Sequence, residues 1–191
     1  MTPAAARGET PVCFSPEIVE RVRKERPEFM SKLEKHGVVY RRLLKGESGP
    51  LQRSWQQAME TEDRSEAEAA AVASGAASVE WLEDGSMKVT SKPLPATIGN
   101  AWFNAIVLLH QGAQAKGTAS PWGVFYGDMS DIADEDVQFV QQVMDENRVA
   151  IPYEQGDVLL VDNMVAMHAR NSFVPPRLVH AAIISGWNDQ V

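Results

Sequence analysis

Four short runs near the C-terminal end constrain the fold more than any other feature. Residues 149–152, 158–162, 164–168 and 178–187 are rich in Val, Leu, Ile and other strand formers, and turn chemistry separates them at Gln155-Gly156, Asp162-Asn163 and the prolines Pro175 and Pro176. Runs this short, following a helical insert, are buried by stacking sheets, so the pattern predicts a sandwich or jelly roll decorated by helices. Residues 134–147 supply such a helix, with Val137, Val140, Val143 and Met144 recurring on one face.

The first half has a different character. Ser15-Pro16 is a helix start, with a capping hydroxyl and a proline at the first helical position, and Ile18, Val19 and Val22 share a face. Pro27 restarts the pattern. Phe29, Met30 and Leu33 predict a second helix closed at His36-Gly37, followed by a strand over residues 38–44. A short helix is expected over residues 55–59, and Thr61 or Ser65 can cap another that runs through Ala73 and stops at Gly75. Residues 78–83 and 86–91 flank Asp84-Gly85 as a β-hairpin, and residues 102–110 read as an apolar extended stretch. The chain is thus expected to be a single domain over 1–191, mainly helical over 15–75 and mainly β over 76–191 apart from the helix at 134–147.

Composition removes several classes. At 191 residues, 44% hydrophobic and 23% charged, the chain is long enough to fold without staples and unlike a disordered polymer. No apolar run exceeds five residues, as at 105–109, where a membrane helix needs about twenty. With no apolar leader in residues 1–14 either, the expectation is a soluble, cytoplasmic protein without a membrane partner. The formal net charge of −8 disfavours nucleic acid, and the single cysteine, Cys13, cannot make an internal disulfide. No base flanks Cys13, so it is read as an incidental or buried thiol. Charge is uneven: residues 1–50 hold ten basic and seven acidic side chains, the remainder eight and nineteen.

Histidine is the commonest metal ligand and acid/base group, and the chain has four. His36 at a helix end, His110 after an apolar run and His180 inside the last expected strand read as structural. His168 differs, because it ends a β run and is followed by a polar loop, two prolines and Arg177. A histidine and an arginine on adjacent strands can face one cavity, and the planar guanidinium pairs bidentately with a carboxylate. Arg170 would share the face of His168 if the strand continued; spacing alone leaves open whether Arg170 and Arg177 instead pair with acids such as Asp162.

Gln155-Gly156-Asp157-Val158-Leu159-Leu160-Val161-Asp162-Asn163, His168-Ala169-Arg170-Asn171 and Pro176-Arg177 resemble the C-terminal signature of the taurine dioxygenase and clavaminate synthase-like (TauD/TfdA-type) family of Fe(II)/2-oxoglutarate dioxygenases. Gly8-Glu9-Thr10-Pro11, Ser54-Trp55, Glu80-Trp81-Leu82-Glu83-Asp84-Gly85 and Trp102-Phe103-Asn104 occur in the order that family uses, so the resemblance covers nearly the whole chain. It implies a double-stranded β-helix, or jelly-roll, core with helical insertions. It also implies an oxidoreductase that uses iron and 2-oxoglutarate to oxidise or hydroxylate a small organic substrate, releasing succinate and carbon dioxide. On the same resemblance His168 is an iron ligand, Arg177 pairs with the far carboxylate of 2-oxoglutarate and Thr10 hydrogen-bonds it. Trp102, Phe103, Asn104 and Arg170 are candidate pocket residues, with core and strand roles open for the first three.

One departure stands out. The family binds iron with two histidines and a carboxylate, the first two ligands coming from a His-x-Asp/Glu motif. None of His36, His110, His168 or His180 has an acid two residues on. The jelly roll is therefore expected to be incomplete in this chain and the metal centre short of ligands. Three explanations stay open: a truncated dioxygenase, a non-catalytic jelly-roll binding or interaction protein that has lost its iron site, or ligands supplied by a partner chain, which leaves a homo-oligomer open.

Overall fold

The computed structural model describes residues 8–48, 53–115, 122–174 and 178–184. Arg177, its neighbours Pro175 and Pro176, and residues 185–187 of the last expected strand lie outside the described residues. The chain divides into two compact units, residues 15–147 and residues 1–14 with 148–191. Six helices accompany the antiparallel sheets among the described residues.

In the unit formed by residues 15–147, α1 (Ser15–Glu25) and α2 (Pro27–His36) turn inward the faces that the sequence marks. Ile18, Val19, Val22, Phe29, Met30 and Leu33 are all buried. α1 packs on α2 and on the later helix α6 (Asp134–Asn147), whose Val137, Val140 and Val143 are buried while Met144 is half-buried. Proline at the first turn costs α2 no hydrogen bond, because that amide has no intrahelical acceptor anyway. Gly37 ends α2 with φ +68°, where its N–H donates to the Leu33 carbonyl. A side chain is excluded there twice, by the left-handed backbone and by the Leu94 carbonyl that a Cβ would strike.

The strand β2 (Val38–Leu44) follows at once and becomes an inner strand of a four-stranded sheet. The helices α3 (Trp55–Met59) and α4 (Arg64–Ala73) cover one end of it. Asp63, rather than Thr61 or Ser65, caps α4: its carboxylate accepts the amides of Ser65 and Glu66 at 2.8 and 3.0 Å. A carboxylate is a stronger acceptor than a hydroxyl at a positive helix end. Thr61 supports this cap by accepting the Asp63 amide.

The hairpin forms as expected but begins earlier, with β3 (Ala76–Trp81) and β4 (Met87–Ser91) around Asp84-Gly85. Asp84 accepts the Ser86 amide at 2.9 Å, and this hydrogen bonding holds its carboxyl below the usual carboxylate range. Leu44, Trp55, Ala67, Ala71, Ala76 and Met87 form a core beneath the sheet, with the rings of Trp55 and Trp81 edge to face at 5.0 Å.

The stretch 102–110 is not extended. Two short strands, β5 (Thr97–Ile98) and β6 (Ala101–Trp102), pair with each other, and the apolar run that follows is the start of α5 (Ile106–Ala115). A five-residue apolar run carries no period that separates strand from helix. Asn104 decides the matter, because its carboxamide oxygen accepts the amide of Ile106 at 3.1 Å and its nitrogen donates to the Ala96 carbonyl at 2.8 Å. Beyond it, β7 (Trp122–Tyr126) completes the sheet in the order β3-β4-β2-β7, and α6 (Asp134–Asn147) ends the unit.

The other unit holds a three-stranded antiparallel sheet. β1 (Thr10–Phe14) lies between β8 (Val149–Ile151) and β9 (Ala166–His168). Two expected strands are absent from the described residues: 158–162 makes no ladder, and neither does 178–184. A strand exists through its partner, and these segments have none here; Val158 is 91% exposed and Ile183 fully exposed. The expected run 164–168 shortens to β9 because Asp162 builds a turn, accepting the Met164 amide on its side chain and the Ala166 amide on its carbonyl.

Candidate functional site

β1 begins with the Thr10-Pro11 half of the Gly-Glu-Thr-Pro segment and β9 ends on His168, so two of the sequence-selected residues meet in one sheet. Val12 stands opposite His168, and Thr10 lies two residues along the same strand. Side chains alternate across a strand and directly paired residues share a face, so Thr10 and His168 are on one face of the sheet.

Pairing continues past the last residue of β9. The Ala169 amide donates to the Pro11 carbonyl at 3.0 Å and the Asn171 amide to the Glu9 carbonyl at 3.1 Å. Proline has no N–H to return the first of these bonds, so the ladder here is one bond poorer than an ordinary pair. The two bonds bracket Arg170 and place it opposite Thr10. The Asn171 carboxamide donates to the Glu9 carboxylate at 3.1 Å, a clamp on the opposite face of the sheet. Thr10, His168 and Arg170 thus share one side, Glu9 and Asn171 the other.

The environments on that shared side differ. Thr10 is 8% exposed, while His168 and Arg170 are exposed. The Arg170 guanidinium lies 5.0 Å from the centre of the Phe173 ring. On the reverse face Cys13 is buried and stands opposite Met167.

Trp102, Phe103 and Asn104 belong to the unit of residues 15–147. Trp102 is 1% exposed beside the Phe29 ring at 6.4 Å, Phe103 is 40% exposed, and Asn104 spends both ends of its carboxamide on backbone groups. Among the described residues the buried indole N–H of Trp102 has no acceptor. The other histidines take the structural places the sequence suggests in two cases. His36 closes α2 with Nδ1 3.9 Å from Asp128, and His110 Nε2 lies 2.9 Å from Asp134. His180 is exposed and in no strand.

Among the described residues no three His, Cys, Asp or Glu side chains gather in a way that could hold a metal ion. An imidazole with a hydroxyl and a guanidinium is a poor cage for a divalent cation, since only the imidazole is a good donor to a metal. The described residues therefore do not fit an iron centre by themselves. A hydroxyl and a guanidinium side by side suit a carboxylate instead.

Antiparallel sheets and six helices among the described residues make this a mixed α/β protein. Residues 2–183 match the taurine catabolism dioxygenase TauD, TfdA family, and the chain belongs to that family. It is 37% identical over 186 residues, 92% of its length, to a clavaminate synthase-like protein of Arabidopsis thaliana. It is 26% identical over 193 aligned positions, 93% of its length, to the dapdiamide synthesis protein DdaC of Enterobacter agglomerans. In both cases the match takes in 56% of the relative, so the chain spans little more than half the length of these proteins. No helix among the described residues is long and apolar enough to cross a membrane.

The Glu9–Asn171 clamp and the register that sets Arg170 against Thr10 escape sequence reasoning. Both segments are recognisable in the sequence, but their pairing is a long-range register that no local pattern encodes.

Proposed function

We propose that this chain is part of an Fe(II)/2-oxoglutarate-dependent dioxygenase acting on a small organic substrate, with the remaining metal ligands supplied from outside these 191 residues. In this reading His168 gives one ligand to iron, while Thr10 and Arg177 hold the far carboxylate of 2-oxoglutarate. The overall reaction inserts oxygen from O2 into the substrate and converts 2-oxoglutarate to succinate and carbon dioxide. The observation that carries the reading is the common sheet face of Thr10 and His168, within a chain of this family. The coverage of its relatives supports the view that ligands lie elsewhere, as does the lack of any His-x-Asp/Glu triplet. Among the described residues the sheet around β1 has three strands, fewer than a jelly roll needs, which agrees with this too.

The test is an anaerobic titration with Fe(II) and 2-oxoglutarate, read through the visible charge-transfer band of the chelated cosubstrate. The chain as it stands should give no band, and the polypeptide extended upstream in its reading frame should give one that His168→Ala abolishes and Arg177→Ala weakens. A band that survives His168→Ala overturns the ligand assignment. No band in the extended protein overturns the dioxygenase reading.

A further inference from the structure

We propose that Arg41, stacked on Phe125 on the less buried face of the four-stranded sheet, anchors a binding site for the oxyanion of a small ligand, a carboxylate or a phosphate group. The site lies within residues 15–147 and uses neither Thr10 nor His168, so it does not rest on the dioxygenase reading.

The two faces of that sheet differ. Val38 and Leu44 on β2, Met87 on β4, and Val124 and Tyr126 on β7 share one face, and all are buried. Alternate residues point the other way: Val39, Arg41 and Leu43 on β2, Lys88 and Thr90 on β4, Gly123 and Phe125 on β7. Of these Val39 is buried and the rest are half-buried. Direct pairing sets Arg41 between Thr90 and Gly123, and Thr90 in turn stands opposite Ser78 of β3, so a cation and two hydroxyl residues form one row across the sheet.

Three features of Arg41 call for an anion. First, among the described residues its guanidinium makes no hydrogen bond and no ion pair, and its Nε is fully buried. A cation drawn out of water without a counter-charge is costly, and here it occurs in a chain with 26 acidic side chains against 18 basic ones. Second, the acids of this face are committed or out of reach. Glu80 pairs with Lys88, and Asp131, opposite Phe125, is not within ion-pair distance of Arg41. Third, the guanidinium is held in place, its carbon 4.5 Å from the centre of the Phe125 ring. Gly123 makes room for this stack, because a Cβ there would come within 2.7 Å of the same ring. Stacking orders the guanidinium plane and leaves the N–H groups in that plane free to donate.

An oxyanion that meets the edge of the guanidinium accepts two parallel charge-assisted bonds from its fork. Val39 and Leu43 flank Arg41 on the same face and make its surroundings less polar than water, which strengthens the attraction. Carboxylate and phosphate share this chemistry, and their relative affinities identify which of them the site takes.

The experiment is a titration of the 191-residue chain with inorganic phosphate and with acetate at constant ionic strength, followed by amide NMR and by melting temperature. Wild type should show saturable shifts centred on Arg41, Thr90 and Gly123, with a dissociation constant on the order of millimolar for the preferred anion. Arg41→Gln should weaken binding at least about tenfold, Arg41→Lys severalfold because an ammonium lacks the fork, and Phe125→Leu severalfold because the ordering ring is gone. Without anion Arg41→Gln should melt no lower than wild type, since it removes a half-buried charge that nothing pairs; added anion should raise the melting temperature of wild type and not that of the variant. The proposal is overturned if the shifts do not saturate or if chloride reproduces them. It is equally overturned if Arg41→Gln, or Phe125→Leu should the first variant not fold, binds within about twofold of wild type.

Discussion

Tyr126 illustrates how burial sets the chemistry of single residues. Its phenol is 4% exposed, faces the Phe29 ring edge-on at 6.4 Å, and has its pKa pushed up to about 12, first by burial and then by the charges of Asp136 and Asp128. Tyr40, half-buried with its phenol oxygen accepting the Ala105 amide, is raised as well, again chiefly by burial. The phenolate is penalised in the fold, so the folded state holds its proton more tightly than the unfolded chain. The resulting stability is complete below the ordinary value of 10.0 and is lost as pH climbs through that value towards about 12. Melting temperature should fall across that window, and Tyr126→Phe should flatten part of the fall; an unchanged slope in the variant would disprove the assignment. Gly127 shows a different constraint, since a Cβ there would overlap the His36 carbonyl, and its own N–H donates to the Gly37 carbonyl at 3.0 Å. Gly127→Ala should cost about 1–3 kcal/mol in urea unfolding, as overpacking against backbone does. At this scale much of the candidate site was legible. His168, Arg170 and Thr10 stand out by residue type and motif, whereas the Glu9–Asn171 clamp, made across 162 positions, does not.

Helices were more legible than strands, for a physical reason. α1, α2 and α6 announce themselves through periodic apolar faces and local start signals, all readable within about fifteen residues. Residues 158–162 and 178–187 have strand composition, but their state depends on partners that composition cannot supply. Residues 102–110 failed in the other direction, because one asparagine fixes the turn that launches α5. The cap of α4 is the natural element to perturb. Asp63→Ala removes the acceptor of two amides and should lower stability by about 0.5–2 kcal/mol in chemical denaturation. Asp63→Asn should recover most of that loss, because the carboxamide still accepts; a full loss in both variants would show that charge, not capping, is what matters there.

Across the chain the buried apolar side chains are unevenly shared. Of those that form the core among the described residues, all but Cys13 fall within residues 15–147. This segment also contains a four-stranded sheet with its helices. Produced alone, residues 15–147 should therefore keep helical and sheet circular dichroism and melt cooperatively. Hydrogen exchange of the whole chain should find β2 and β4 slowest and the amides of 157–161 and 178–184 exchanged at the earliest time. Slow exchange in those two segments would mean that they are paired in solution.

Val158, Leu160, Ile183 and Ile184 are at least 75% exposed, in segments that pair with nothing described here. For anyone handling the protein this means a ceiling on concentration. Contacts between such side chains on different molecules grow with crowding, and sulfate-type salts sharpen them. Light scattering should rise with concentration well before the fold is lost, and Val158→Lys together with Ile183→Lys should push that onset upward while leaving the melting temperature where it was.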